Sequence, residues 1–260
     1  MNQMRFLNQI IVLTGAASGI GRAAAHLFAK EGAIQFLLDT DQSGLEETLQ
    51  ALEPTDNTFS RRIDVRNPVD VKNAVEAVIH DYGKIDVLIC NAGVVRIGEI
   101  EDFTDEDYDL LINVNLKGTY YCCKYAVPYF KRQKHGVIIT VASVAAHVGQ
   151  VQHAGYCSTK AAVLGLTRAL ALDLAPYGIR VNSISPGATD TPMLRSDVKR
   201  QAQTRGIADS IVKQQFETES VLGRWAKAEE IAAGMLFLAS GDSSYMTGAD
   251  LRIDGGWTAK

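Results

Sequence analysis

The 260-residue sequence predicts an α/β protein, a doubly wound, seven-stranded parallel sheet with helices on both faces. Three observations predict it. Short apolar runs alternate with longer amphipathic stretches along the whole chain. The runs are rich in β-branched residues and lack a strict apolar–polar alternation, as strands covered on both faces require. A glycine-rich segment joins the first run to the first amphipathic stretch. Strands and helices in this order close into a parallel sheet through right-handed crossovers.

The elements follow in turn. Residues 10–13 predict the first strand and 20–31 the first helix, then 34–38 and 44–52 the second pair. Strand 59–64 precedes helix 69–82, and strand 85–90 precedes a long helix over 105–130. Strand 137–141 leads to helix 154–177, strand 179–184 follows, and strand 250–253 comes after helix 228–239. Each helical stretch spaces its apolar residues at three- and four-residue steps. Thr104 before Asp105-Glu106-Asp107 matches a capping pattern, so Glu99, Glu101, Asp102 and Asp109 read as a solvated helix entrance. Lys131-Arg132-Gln133-Lys134-His135 falls where that helix should end and suits its negative pole. Residues 187–227 break the rhythm with a polar segment carrying helical fragments. A connection of that length in a compact domain predicts a lid.

Composition narrows the function. A hydrophobic content of 47% supports a substantial core, and no linker or internal repeat divides the chain, so one domain over 1–260 is expected. The net charge of -4 and scattered basic residues argue against nucleic acid as a partner. The apolar run at 10–13 is too short for a signal-peptide core or a membrane span, and a cytoplasmic protein is expected. The four cysteines have no paired or metal-ligand spacing and no histidine pair does, so the expectation is reduced thiols and no metal.

The chemistry is carried by two groups of residues. Thr14-Gly15-Ala16-Ala17-Ser18-Gly19-Ile20-Gly21 follows the first strand and opens the first helix, the context of a phosphate-binding loop in a Rossmann-type fold. Gly15, Ser18, Gly19, Ile20 and Gly21 are the candidate contacts for a pyrophosphate on the helix N-terminus. Asp39 ends the second strand, where a carboxylate accepts from both hydroxyls of an adenosine ribose and opposes a 2′-phosphate. NAD is therefore expected rather than NADP. Asp64 and Val65 are placed for the adenine, and Asn91-Ala92-Gly93 for a close backbone approach to the ribose.

Tyr156 and Lys160 lie four residues apart on a predicted helix, so the phenol and ammonium share a face, with Ser143 thirteen positions upstream. A cation beside a phenol stabilises its ionised form, which predicts an acid/base at Tyr156.

In order, TGxxxGxG, NAG, a Ser thirteen before YxxxK and the Pro186-Gly187 turn resemble the short-chain dehydrogenase/reductase family over essentially the whole chain. Asn113-Val114-Asn115 and Asp254-Gly255-Gly256 fit its compact branch. The resemblance implies Tyr156 as base in alcohol oxidation and acid in ketone reduction, with Ser143 on the substrate oxygen. It implies Lys160 on the nicotinamide ribose and Asn115 holding a water in a proton relay. It also implies Pro186, Gly187 and Thr189 near the nicotinamide, Thr191 near the phosphates, and a homotetramer, consistent with apolar Tyr120, Tyr121, Leu164 and Leu170 on more than one helix stripe.

For the substrate, His147, Gln150 and His153 border the loop between Ser143 and Tyr156, and Arg96 follows the Asn-Ala-Gly turn. The histidines are substrate ligands or solvated loop residues. Arg96 meets a substrate carboxylate or forms a structural ion pair. Met193, Leu194 and Trp225 are pocket walls or lid packing. The expected activity is NAD-linked oxidation of a secondary alcohol, namely a polyol, sugar acid or hydroxy acid. The alternatives are a 3-oxoacyl reductase and, in another class, a non-catalytic NAD-binding regulator.

Overall fold

The computed structural model describes residues 4–52 and 57–260. Seven parallel strands stand in the order β3-β2-β1-β4-β5-β6-β7. They are β1 Ile10–Thr14, β2 Ile34–Asp39, β3 Thr58–Arg62, β4 Val87–Cys90, β5 Gly136–Val141, β6 Ile179–Pro186 and β7 Asp250–Ile253. The helices are α1 Gly19–Lys30, α2 Gln42–Ala51, α3 Pro68–Tyr82, α4 Asp105–Leu111, α5 Thr119–Gln133, α6 Ala154–Leu174, α7 Pro192–Arg205, α8 Asp209–Glu219 and α9 Ala228–Ala239.

The unbroken apolar runs divide residue by residue between two cores. Ile11, Leu13, Val87, Ile89, Val137 and Ile139 face α1 and α9, where they meet Ala24, Phe28, Ile231 and Met235. Ile10, Val12, Leu88 and Ile138 face the other way, against Val75 and Val78 of α3, Ala126 and Phe130 of α5, and Leu174 of α6. Side chains alternate along a strand, so an all-apolar strand is the signature of a sheet with two buried faces. Edge strand β3 departs from this expectation, since Phe59 is 41% exposed.

The long helix expected over 105–130 is unbroken but not uniform. Thr104 caps it as predicted, accepting from the Asp107 N–H at 3.1 Å, but residues Ile112–Gly118 widen into a π-helical segment between α4 and α5. The segment 187–227, expected to form a lid, is more ordered than its polar composition implied. Its helices α7 and α8 share a small core of Val198, Ala202 and Val212. Its base is tied off by main-chain bonds from Asp190 N–H to Ala226 O at 2.9 Å and from Ala226 N–H to Ala188 O at 2.8 Å. No helix among the described residues is long and apolar enough to cross a membrane.

Candidate active site

Strand order reverses direction between β1 and β4, and at such a point the loops leaving the carboxyl ends separate into a crevice. The cleft here runs from Gly15 and Asp39 at one end to Tyr156, Met193 and Trp257 at the other.

The adenosine end is shaped by the glycine loop. Gly15 turns with φ +71°, and a Cβ there would strike Asn91 and Ala92 at 2.7–2.9 Å. A Cβ on Gly21 would collide with the Gly15 carbonyl. Ser18 stands at the N-cap of α1 but makes no side-chain cap bond, and the first turn carries no acidic residue. Its free N–H groups and dipole are thus open to an anion, and the cradle fits a pyrophosphate. Asp39 lines the cleft with both oxygens held. One accepts from Ala17 N–H at 3.0 Å, the other from Asp41 N–H at 3.0 Å.

Some predicted contacts serve other purposes. The Asn91 amide braces the glycine loop, donating to Thr14 O at 3.0 Å and Gly15 O at 2.9 Å. The Asp64 carboxylate, expected on an adenine, is gripped by Arg66 Nε at 2.8 Å and Nη2 at 2.6 Å, which holds it below the usual carboxylate range. Val65 is buried and packs where a Cβ on Gly118 would lie 2.8 Å from its methyl.

At the catalytic end the π segment turns Asn115 toward β4. Its Oδ1 accepts from Val94 N–H at 2.8 Å, and its Nδ2 donates to Val94 O at 3.0 Å and Thr159 Oγ1 at 3.1 Å. π-bulges often occur where a helix must deliver a functional side chain. Lys160, 4% exposed, donates from Nζ to Val141 O at 2.8 Å and lies 5.7 Å from the centre of the Tyr156 ring. Gly93 sits between them, since a Cβ there would be 3.3 Å from Asn115 Oδ1 and 3.5 Å from Lys160 Nζ. The fold thus brings Asn115, Ser143, Tyr156 and Lys160 near one another.

The electrostatics correct one expectation. Burial pushes the Tyr156 phenol up to about 12, outweighing a hydrogen bond from Ser143 that lowers it, while the nearby Cys157 and Asp197 raise it further. Burial also brings Lys160 down to about 8. In the protein alone Lys160 does not offset desolvation, and the phenol keeps its proton.

The candidate substrate residues separate. Gln150 and His153 line the cleft. His153 is buried, with Nδ1 2.6 Å from Val151 O and its ring edge-on to Tyr156. His147 does not line it. Its Nε2 lies 2.8 Å from Asp250 Oδ2 and 3.2 Å from Ser185 Oγ, pinning the Ser143 loop to β6 and β7. Arg96 forms the structural ion pair, with Nε 3.1 Å from Asp107 Oδ1. Met193 and Leu194 are cleft walls, whereas Trp225 packs against the lid core. Thr189 Oγ donates to Gly187 O at 2.9 Å, and Thr191 caps α7 and approaches Gly19, whose Cβ would meet its methyl at 3.0 Å.

Val95, Val144, Asp197, Phe216 and Trp257 also line the cleft and were not foreseen. Only the aromatic beside the Asp-Gly-Gly turn offered a hint. Leu164, expected on an outer stripe, is buried with Ala142 and Val163.

A glycine cradle leading into a Ser–Tyr–Lys wall defines an oxidoreductase that works with a nicotinamide dinucleotide. The chain belongs to the short-chain dehydrogenase/reductase family. The family model described as "Enoyl-(Acyl carrier protein) reductase" matches residues 15–258. Among its relatives, 3-oxoacyl-[acyl-carrier-protein] reductase FabG of Thermotoga maritima is 39% identical over 97% of this chain and 99% of its own. Meso-2,3-butanediol dehydrogenase of Serratia marcescens is 38% identical over 98% of this chain and 97% of its own. The solved structure of levodione reductase superposes with a TM-score of 0.94 at 33% identity, covering 98% of this chain and 99% of that one.

Proposed function

We infer that the protein is an NAD-dependent dehydrogenase that interconverts a secondary alcohol and its ketone. The observation that carries this reading is one continuous cleft joining Asp39 and the glycine loop to Ser143, Tyr156 and Lys160. NAD is supported by the Asp39 carboxylate, fixed by two backbone N–H groups where a 2′-phosphate would otherwise lie. Arg22, the cation nearest the loop in sequence, is spent on Ala17 O, Gly44 O, Thr48 and Glu47.

The oxidised nicotinamide supplies a hydride acceptor and a positive ring. The chain supplies the rest. Ser143 Oγ donates to the substrate oxygen, and Tyr156 Oη takes the carbinol proton in oxidation or returns it in reduction. Lys160 and Asn115 hold the ribose side and the path for the proton. With its proton retained in the protein alone, Tyr156 is ready as an acid. A positively charged nicotinamide bound beside it would oppose the desolvation and favour the base form of Tyr156.

Nicotinamide-dependent turnover of secondary alcohols, followed at the absorbance of the reduced cofactor with NAD⁺ and NADP⁺ in parallel, tests the reading. Preference for NADP⁺, or tight NAD⁺ binding with no turnover of any alcohol, refutes it. The similarity to a 3-oxoacyl-[acyl-carrier-protein] reductase supports a second reading as a ketoreductase, which predicts NADPH preference and reduction of acyl thioesters. Assembly as a homotetramer is supported by exposed Tyr120 on α5 and Leu172 on α6, and sedimentation at four chain masses is the expected result.

A further inference from the structure

The substrate end of the cleft has an uneven distribution of charge. Among the described residues, three of acidic or basic type line the cleft as a whole: Asp39, Lys160 and Asp197. Asp39 is at the adenosine end, and Lys160 is committed to Val141 O. That leaves the Asp197 carboxylate of α7, buried to 5% exposure and lining the same cleft as Ser143 and Tyr156. The cations nearby are turned elsewhere. Arg96 is paired with Asp107, and Arg195 grips Asp190 at 2.6 and 2.9 Å. Arg200 holds Asp197 Oδ1 at 2.8 Å but is not part of the cleft wall.

The hydrogen-bonding character points the same way. Asp197 Oδ1 accepts from Arg200 and Oδ2 from Gln201 at 3.1 Å, which leaves each oxygen a further lone pair. His153 has Nδ1 2.6 Å from the Val151 carbonyl, so that nitrogen donates to the backbone. Beside the Ser143 and Tyr156 hydroxyls, the Asp197 carboxylate is an acceptor only, and the Gln150 amide both accepts and donates. Together they match hydroxyl groups, which do both. A substrate carboxylate would be desolvated in a cleft that already holds the Asp197 carboxylate, and the one cation lining that cleft among the described residues, Lys160, is bonded to Val141 O.

We propose that the substrate is an uncharged diol or polyol rather than a hydroxy acid, and that Asp197 accepts the hydroxyl beyond the reacting carbon. This rests on the alcohol-oxidation reading and narrows it. The acid members of the expected substrate set are thereby excluded.

The test compares meso-butane-2,3-diol and xylitol with 3-hydroxybutyrate and its uncharged methyl ester. It reads kcat/KM with NAD⁺ and, separately, calorimetric binding to the NAD⁺ complex. The wild-type protein is expected to favour the ester over the acid by about 10-fold or more, with one diol or polyol best. Asp197→Asn should lower kcat/KM for that best compound by about 10- to 100-fold and narrow the ester–acid gap, with NAD⁺ affinity and thermal midpoint as controls for folding. Equal or better use of the acid by the wild-type protein overturns the proposal without any variant, and leaves the oxidation reading standing. Unchanged discrimination in folded Asp197→Asn overturns the role of Asp197. Selective binding of the neutral compounds without turnover supports the inference and refutes oxidation instead.

Discussion

The adenosine half of the cleft comes from one stretch between Thr14 and Asp39, braced by Asn91. The substrate half gathers Val95, Ser143, Gln150, Asp197, Phe216 and Trp257 from separated segments. In the first half the backbone makes the site, through a positive φ, an uncapped helix end and a carboxylate held by N–H groups. In the second half side chains make it, and each is delivered by an element with packing needs of its own. The difference teaches that a nucleotide site built from local geometry announces itself in sequence, whereas a substrate site built from long-range convergence does not.

The largest expected effect separates the halves. Tyr156→Phe should reduce kcat by about 100- to 10,000-fold while NAD⁺ affinity, read by fluorescence titration, stays nearly constant. Appreciable residual turnover would mean that another group moves the proton.

Gly21→Ala acts on the opposite half. Its methyl must displace the Gly15 carbonyl, costing about 1–3 kcal/mol of stability, and cofactor affinity should fall by about 10-fold or more. Denaturant titration and cofactor binding measure both. An unaltered affinity would break the claim that backbone geometry makes this half.

Lys160→Met sharpens the contrast by setting stability against function. The lysine's ordinary value of 10.5 falls to about 8 in the fold, a difference worth about 3 kcal/mol, offset by about 1–2 kcal/mol for a Val141 carbonyl left without its donor. The cost of the buried charge is fully present below pH 8 and is relieved as pH rises from there to 10.5, where the unfolded chain also loses its proton. The variant should thus melt a few degrees higher at pH 7, lose that advantage toward pH 10.5, and be inactive throughout. A lower melting temperature at pH 7 would show that the Val141 bond outweighs desolvation.

Asp39→Ala should erode discrimination between NAD⁺ and NADP⁺ by about 10- to 100-fold, the worth of hydrogen bonds to a charged group. The smallest effect belongs to Arg96→Ala. Both members of its ion pair are more than a third exposed, so about 0–1 kcal/mol of stability and no change in KM are expected.

Legibility followed the same division. The inner strands were readable because a doubly covered sheet demands apolar runs, the edge strands β3 and β7 through their place in the strand–helix order, and Gly15, Gly21 and Asp39 because the loop's shape demands them. Tyr156, Lys160 and Ser143 stood out through spacing and resemblance. The π segment was hidden because Ile112–Gly118 keeps an ordinary helical composition, and the widened turn answers to Asn115 bonding Val94 across 21 positions. His147 and Arg96 looked like ligands because sequence places them near the site, but Asp250 and Asp107, which claim them, are found only in three dimensions. Asp197 was invisible for the converse reason. It lies in a polar helix, and its burial arises only when α7 packs beside the cleft.

The stitching of Asp190 and Ala188 to Ala226 makes the lid a cassette. Entry and exit strands are fastened to each other, and the insert between them carries its own apolar nucleus. A segment bounded there is suited to transplantation between homologous scaffolds, so that a new selectivity is grafted onto an unchanged hydride-transfer platform.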